Sequence, residues 1–124
     1  MITSTGLSIV RDLIGYGNTD TIAYFGFGSG TTAPSLSDSG LEYEVSERRA
    51  VSYSNIGSPS VGDTYSCTLN SIEASGINAS GYSISELGLF TQLTGGSMFN
   101  RCAFDAISLS SGSEYKFEWD ILEI

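Results

Sequence analysis

The first fifteen residues have the hydrophobic spacing of an amphipathic helix. Apolar side chains recur there at intervals of three and four residues, at Leu7, Ile9, Val10, Leu13 and Ile14. Ser4 or Thr5 is placed to cap the helix, and glycine, found here at Gly15, commonly follows a last helical turn. We therefore predict a helix over residues 4–15 whose apolar stripe covers another part of the molecule.

Most of the remaining chain alternates between apolar and polar residues, as half-buried strands do. Such runs lie at residues 21–27, 49–53, 64–70, 82–90, 97–104 and 114–121. The last run is the clearest, with Tyr115, Phe117, Trp119 and Ile121 on one face and Lys116, Glu118 and Asp120 on the other. In the run 64–70, the side chains predicted to point inward are Tyr65, Cys67 and Leu69. The run 21–27 is apolar at both parities, which is typical of a strand buried on both faces.

Strands joined by short Gly- and Ser-rich segments favour two packed antiparallel sheets. We predict one domain over residues 1–124, mostly β: an antiparallel, jelly-roll-like β-sandwich with one N-terminal α-helix. Thr94-Gly95-Gly96 predicts a hairpin turn, and the parity change at Ile72 predicts a bulge near Asn70-Ser71. Residues 41–45 are expected to form one short helical turn. Long polar loops are predicted at residues 28–40, 55–62 and 74–81.

The charge balance bears on the choice of partners. The chain has five basic and 14 acidic residues, and its formal net charge is −9. Nucleic acids and anionic membranes both require clustered Lys and Arg, whereas only Arg48 and Arg49 are adjacent here. We therefore expect neither a nucleic acid nor a membrane as partner. The N-terminus lacks the basic start and long apolar core of a signal peptide, so synthesis and assembly in the cytoplasm are expected.

The residue types that most often carry catalysis are scarce. The chain has no histidine, the commonest general base and metal ligand. Cys67 and Cys102 lie in strand-like runs and are expected to be reduced thiols in the core, and the alternative is one disulfide between them. The glycine-rich residues 26–32 lack the lysine and the following helix of a phosphate-binding loop, and instead indicate a tightly turning strand end. We predict that the protein is not an enzyme and has no cofactor or metal site.

Glu86 is the charged residue whose position most needs an explanation. It shares the parity of Tyr82 and Ile84, which predicts that its side chain points inward. A buried charge without a partner is costly, and Arg101 lies in the next strand across the predicted turn. We predict a partly buried Glu86–Arg101 ion pair that contributes to fold specificity. The alternative is that both side chains lie on an exposed face of the sheet.

Four segments form an ordered pattern over nearly the whole chain. They are residues 5–13 (TGLSIVRDL); residues 28–34 (GSGTTAP) running on through Ser37-Asp38, Leu41-Glu42 and Glu44-Val45; residues 85–90 (SELGLF) with Asn100-Arg101; and residues 114–121 (EYKFEWDI). This pattern resembles a loose family of small structural proteins of tailed bacteriophages and archaeal tailed viruses. Members are described as tail-fibre, tail, baseplate or head-decoration proteins, and they typically read GTGTTAP…SDTALENEV, then EIGLF, then a final alternating strand.

The resemblance implies a β-sandwich that assembles in multiple copies on a virion and has no catalytic residues to transfer. The residues expected to have structural roles are Gly28, Gly30, Pro34, Glu86, Arg101 and Trp119. The expected function is a tail, fibre, baseplate or capsid-surface component that self-associates into a trimer or larger ring and contacts other virion proteins. The alternative is a module whose loops bind a host receptor, either a glycan or a protein, with Tyr16 and Tyr82 as candidate contact residues.

Overall fold

The computed structural model describes residues 1–15, 21–56, 62–110 and 112–122, with the backbone alone at residues 11–15, 55 and 122. The elements are α1 (Ser4–Gly15), β1 (Tyr24–Gly28), β2 (Arg49–Ala50), β3 (Ser52–Ile56), β4 (Gly62–Leu69), α2 (Ser71–Ala79), β5 (Ile84–Phe90), β6 (Met98–Ile107) and β7 (Tyr115–Leu122). Across these residues the fold is mostly β. The first sheet has the order β2-β1-β5-β6, the second has the order β3-β4-β7, and every strand pairing is antiparallel.

The two sheets meet through aromatic side chains. Phe25 and Phe27 of β1 are fully buried. The Phe27 ring contacts Phe117 of β7 edge-on, with centroids 5.1 Å apart, and the Phe25 ring lies 6.5 Å from that of Trp119. Facing sheets with an aromatic core are compatible with the predicted β-sandwich.

The alternating pattern correctly predicted which side chains of β4 and β7 face the core of the second sheet. In β7, the four predicted inward residues pack against the core, while Lys116, Glu118 and Asp120 are exposed. In β4, Cys67 and Leu69 are buried. The hairpin turn between β5 and β6 is also confirmed, since Gly95 and Gly96 both have positive φ, which glycine adopts without strain.

Helix α1 begins and ends where predicted, but a different residue caps it. Oγ1 of Thr3, rather than Ser4 or Thr5, accepts the N–H of Gly6 at 2.9 Å. The same hydroxyl donates to the Met98 carbonyl of β6 at 2.8 Å. Thr3 therefore caps the helix and ties it to the first sheet.

Within residues 4–10, only part of the predicted apolar stripe of α1 is buried. Ile9 is buried, whereas Leu7 and Val10 are exposed. A Cβ at Gly6 would collide with the Phe99 carbonyl of β6, so this glycine allows the helix to lie close to the strand.

The predicted bulge near residues 70–71 and the predicted loop at residues 74–81 are both wrong, because α2 occupies Ser71–Ala79. A capping box begins this helix: the Asn70 side chain accepts the N–H of Glu73, and the Glu73 carboxylate accepts the N–H of Asn70, both at 2.9 Å. Ile72, whose parity prompted the bulge prediction, is an exposed residue of the first helical turn.

Two further predictions for the middle of the chain are wrong. The run 49–53 is divided between the sheets: β2 pairs with β1, β3 pairs with β4, and Val51 lies between them. The described residues thus form seven strands rather than six. No helical turn forms at residues 41–45, where the chain bends at Glu42 and Tyr43 and Glu44 makes an isolated bridge to Gly28. Most of the predicted loop at residues 55–62 lies outside the described residues.

We expect Asn70→Ala to lower the free energy of unfolding by about 1 kcal/mol, because it leaves the Glu73 N–H without its cap. Denaturant unfolding measures this change. Asn78→Ala is the matched control, since Asn78 is an exposed residue of the same helix. Equal effects of the two substitutions would show that the capping box contributes no stability.

Candidate functional site

The face of the first sheet that is turned away from the second sheet is lined by glycine. Phe25 and Phe27 point towards the second sheet, so Gly26 and Gly28 lie on the opposite, outer face. Across the β1–β5 pairing, Gly26 lies opposite Gly88, and Gly28 lies opposite Glu86. A Cβ at Gly28 would approach the Glu86 carboxylate to 2.5 Å. The glycines therefore leave room for larger side chains to lie along this face.

The predicted Glu86–Arg101 pair is present on this outer face. Arg101 lies opposite Gly88 in the β5–β6 pairing, and its Nε donates to Glu86 Oε1 at 2.8 Å. Glu86 has 0 % and Arg101 has 2 % of its surface exposed, so the pair is more deeply buried than predicted. The pair lies outside the aromatic core, and it is buried because residues 29–45, here called the covering segment, cross over it.

The Glu86 carboxylate holds both ends of the covering segment. Oε2 accepts the N–H of Gly30 at 2.7 Å and the N–H of Tyr43 at 2.9 Å. Oε1 accepts the N–H of Glu42 at 2.9 Å in addition to the bond from Arg101. One carboxylate thus replaces the backbone partners that this irregular segment would find in a sheet or helix.

Neighbouring side chains hold the middle of the covering segment. Arg101 Nη1 donates to Asp38 Oδ2 at 3.2 Å, and the same oxygen accepts the N–H of Ser35 at 2.9 Å. Ser85 Oγ donates to the Gly30 carbonyl at 2.7 Å. The charged pair is therefore the centre of a network with contacts along the whole segment.

The pKa values follow from this network. Burial alone would raise the pKa of Glu86, but the bonds from Arg101 and from three backbone N–H groups outweigh it, so the pKa is lower than usual. Burial alone would lower the pKa of Arg101, but Glu86 and Asp38 raise it above its ordinary value. Both groups are thus held in their charged forms.

A second arginine fixes the far end of this face. The Arg48 guanidinium lies 3.6 Å from the centre of the Phe90 ring, and its Nε donates to Glu44 Oε2 at 2.9 Å. Its Nη1 donates to the carbonyls of Gln92 and Gly95 at 2.9 and 2.8 Å. Arg48 thereby joins the end of the covering segment to the β5–β6 hairpin.

The sequence predicted the pairing of Glu86 with Arg101, but it did not predict the other groups that bond to this pair. Asp38 and Arg48 are the main residues that it missed. The motif containing Ser37-Asp38 and the adjacency of Arg48 and Arg49 were visible, but neither pattern states a partner.

The other residues with predicted structural roles lie in different places. Gly28 and Gly30 adjoin Glu86, and Pro34 is a half-buried residue of the covering segment. Trp119 belongs to the second sheet and packs against Phe25, away from the ion pair.

The two cysteines and the candidate receptor residues lie outside the network. Cys67 is buried and Cys102 is half-buried, both are free, and burial raises the pKa of Cys67 to about 12. The ring of Tyr82 packs on that of Tyr43, with centroids 5.6 Å apart. Tyr16 lies outside the described residues.

The network engages both oxygens of the Glu86 carboxylate. A cleft of about 200 Å³ opens beside the pair and is lined by Thr32, Asp38, Gly40, Glu42 and Arg101. The carboxylate beneath it already accepts hydrogen bonds from four donors.

In the part of the chain that the structure describes, no helix has the length and apolar character needed to cross a membrane.

We expect Gly30→Ala to lower the free energy of unfolding by roughly 1–3 kcal/mol, since the new Cβ would collide with the Glu86 carboxylate and with Glu42. Gly40→Ala is the matched control in the same segment, because a Cβ there meets no atom within 4 Å. Denaturant unfolding of both variants tests this. A loss for Gly40→Ala as large as that for Gly30→Ala would contradict the predicted packing.

Glu86→Gln should lower the free energy of unfolding by roughly 3–5 kcal/mol at neutral pH, because it removes the buried charged partner of Arg101 and leaves that charge paired with the partly exposed Asp38. The lowered pKa of Glu86 also predicts a pH effect: its contribution is complete above the unfolded value near 4.5 and is lost as the pH falls towards the folded value. As the pH is lowered from 7 into this acidic range, the free energy of unfolding should therefore fall more steeply for the wild type than for Glu86→Gln. The exposed substitution Glu114→Gln should keep the wild-type slope, and parallel curves for all three would refute the assignment.

No protein-family model matches this chain, and searches of the curated proteins and of the solved structures also find no match. The resemblance to virion proteins therefore stays a prediction from the sequence motifs.

Proposed function

We propose that this chain is a structural component of a tailed-virus particle that acts by assembling in multiple copies and has no catalytic role. The observation that carries the proposal is the convergence of the resemblance motifs at one site. Gly28 and Gly30 come from the glycine-rich motif, Glu42 from its continuation, and Glu86 and Arg101 from the third motif. All five take part in the network beneath or within the covering segment.

The convergence matters because each motif is weak by itself. Residues far apart in the sequence have one common task, which is to hold an irregular segment against a sheet. The fourth motif supplies β7, whose aromatic face packs against β1. A shared motif set with a purely structural task supports a structural protein more than an enzyme.

The surface composition also supports repeated packing of copies. Charged residues make up 15 % of the chain, below the usual quarter. Fewer charged side chains therefore have to be removed from water when two copies form an interface. We propose a trimer or larger ring assembled in the host cytoplasm in contact with other virion proteins. The jelly-roll-like topology is also part of the proposal, and it is supported by a chain that passes repeatedly between the two sheets.

A second candidate function is the binding of a host glycan or protein. Tyr43 and Tyr82 favour it, because their rings pack together at the surface and their hydroxyls are 3.1 Å apart. Exposed aromatic faces with hydroxyl groups are common contacts for sugars and proteins. A fibre tip would combine this role with the structural one.

The proposal is tested by immunogold electron microscopy with an antibody against this chain, applied to virus particles whose genome encodes it. We expect gold on the tail, the baseplate, the fibre or the capsid surface. Particles that stay bare, although the protein is shown to be expressed, would overturn the virion role and favour a free binding module.

A further inference from the structure

Strand β7 is an eight-residue strand at the edge of the second sheet, and in the described residues it has a partner strand on only one side. It pairs with β4 over its whole length, from Tyr115 opposite Leu69 to Leu122 opposite Gly62. Among the described residues, no backbone group outside β4 bonds to the backbone of β7. Its outer side therefore presents a row of N–H and C=O groups that a further strand could pair with.

The other sheet edges are shorter or are covered. Strand β2 has two residues and β3 has five. The edge of β6 is covered by the N-terminus: the N–H of Arg101 donates to the Met1 carbonyl, and the N–H of Thr3 donates to the Phe99 carbonyl, both at 3.0 Å. Edge strands are normally protected by such devices. The long edge of β7, which contains neither proline nor glycine, is the exception.

The charges on the exposed face of β7 are self-complementary. Lys116, Glu118 and Asp120 lie on this face, with Glu118 midway between the other two. If a second copy pairs antiparallel about a two-fold axis through Glu118, each Lys116 lies opposite Asp120 of the other copy. The two Glu118 side chains would meet at the axis, where each already has Lys116 as a neighbour at 2.9 Å.

The pairing register follows from overlap and charge. With the axis at Glu118, residues 115–121 of both copies pair. Moving the axis to Phe117 shortens the overlap to residues 115–119 and sets two attractive Lys116–Glu118 contacts against two repulsive contacts between Asp120 and Glu114. The axis at Glu118 sets two attractive Lys116–Asp120 contacts against the one repulsive contact between the two Glu118 side chains. The axis at Glu118 therefore has both the longer ladder and the better charge match.

We propose that the edge of β7 binds a second copy of this chain, antiparallel and with its two-fold axis at Glu118, so that two three-stranded sheets become one six-stranded sheet. This inference rests on the self-association in the proposed function and names one of its contact surfaces. A two-fold contact closes a dimer, so a larger ring uses at least one more surface.

Disulfide trapping tests the register. Glu118→Cys, in a background with Cys67→Ala and Cys102→Ala, should form a covalent dimer under mild oxidation, since directly opposite Cβ atoms are about 5 Å apart. Lys116→Cys in the same background is the matched control, because the two copies of residue 116 would be about 13 Å apart. Non-reducing electrophoresis reads the result. Equal crosslinking of the two variants, or none in either, would overturn the register.

A charge exchange tests the same surface without new cysteines. Lys116→Asp and Asp120→Lys should each weaken association about tenfold, and the double variant should restore it, because the exchange returns opposite charges to both contacts. Sedimentation at physiological salt, where screening leaves short-range contacts dominant, gives the association constants. Wild-type protein that is monomeric would overturn this surface and self-association in solution together. A wild-type oligomer that is insensitive to all three variants would overturn the surface alone, and particle labelling tests the virion role independently.

Discussion

The structure depends on how one buried carboxylate is satisfied. Glu86 has no exposed surface, and a charge in that position is tolerated only when its oxygens are fully hydrogen-bonded. Arg101 supplies one donor, and the backbone of the covering segment supplies the other three. This requirement explains why Gly28 and Gly30 must lack side chains and why residues 29–45 follow their path across the sheet.

Sequence patterns predicted the parts of the fold that local periodicity determines. The alternation in residues 114–121 predicted β7 and its buried face, and parity together with the cost of a buried charge predicted the Glu86–Arg101 pair. The helix α2 was missed because it is short and rich in Ser, Gly and Asn, and its buried residues are few. Its detectable signal was the Asn70–Glu73 capping box.

Other features depend on contacts that no local pattern contains. Alternation at residues 49–53 indicates strands but does not state which sheet each one joins, so the division at Val51 was not predicted. Residues 41–45 were expected to be helical, yet two of their N–H groups donate to a carboxylate 43 and 44 residues away. Among the described residues, the covering segment thus lies on the first sheet, while the long edge of β7 in the second sheet has no backbone partner.

Amide hydrogen exchange within the covering segment tests the central role of Glu86 most directly. Irregular surface segments normally exchange fast, because their N–H groups face water. If Glu86 holds the segment, the N–H groups of Gly30, Glu42 and Tyr43 should exchange as slowly as those of β5, and Glu86→Gln should abolish this protection while β5 stays protected. Rapid exchange of these three groups in the wild-type protein would contradict the account.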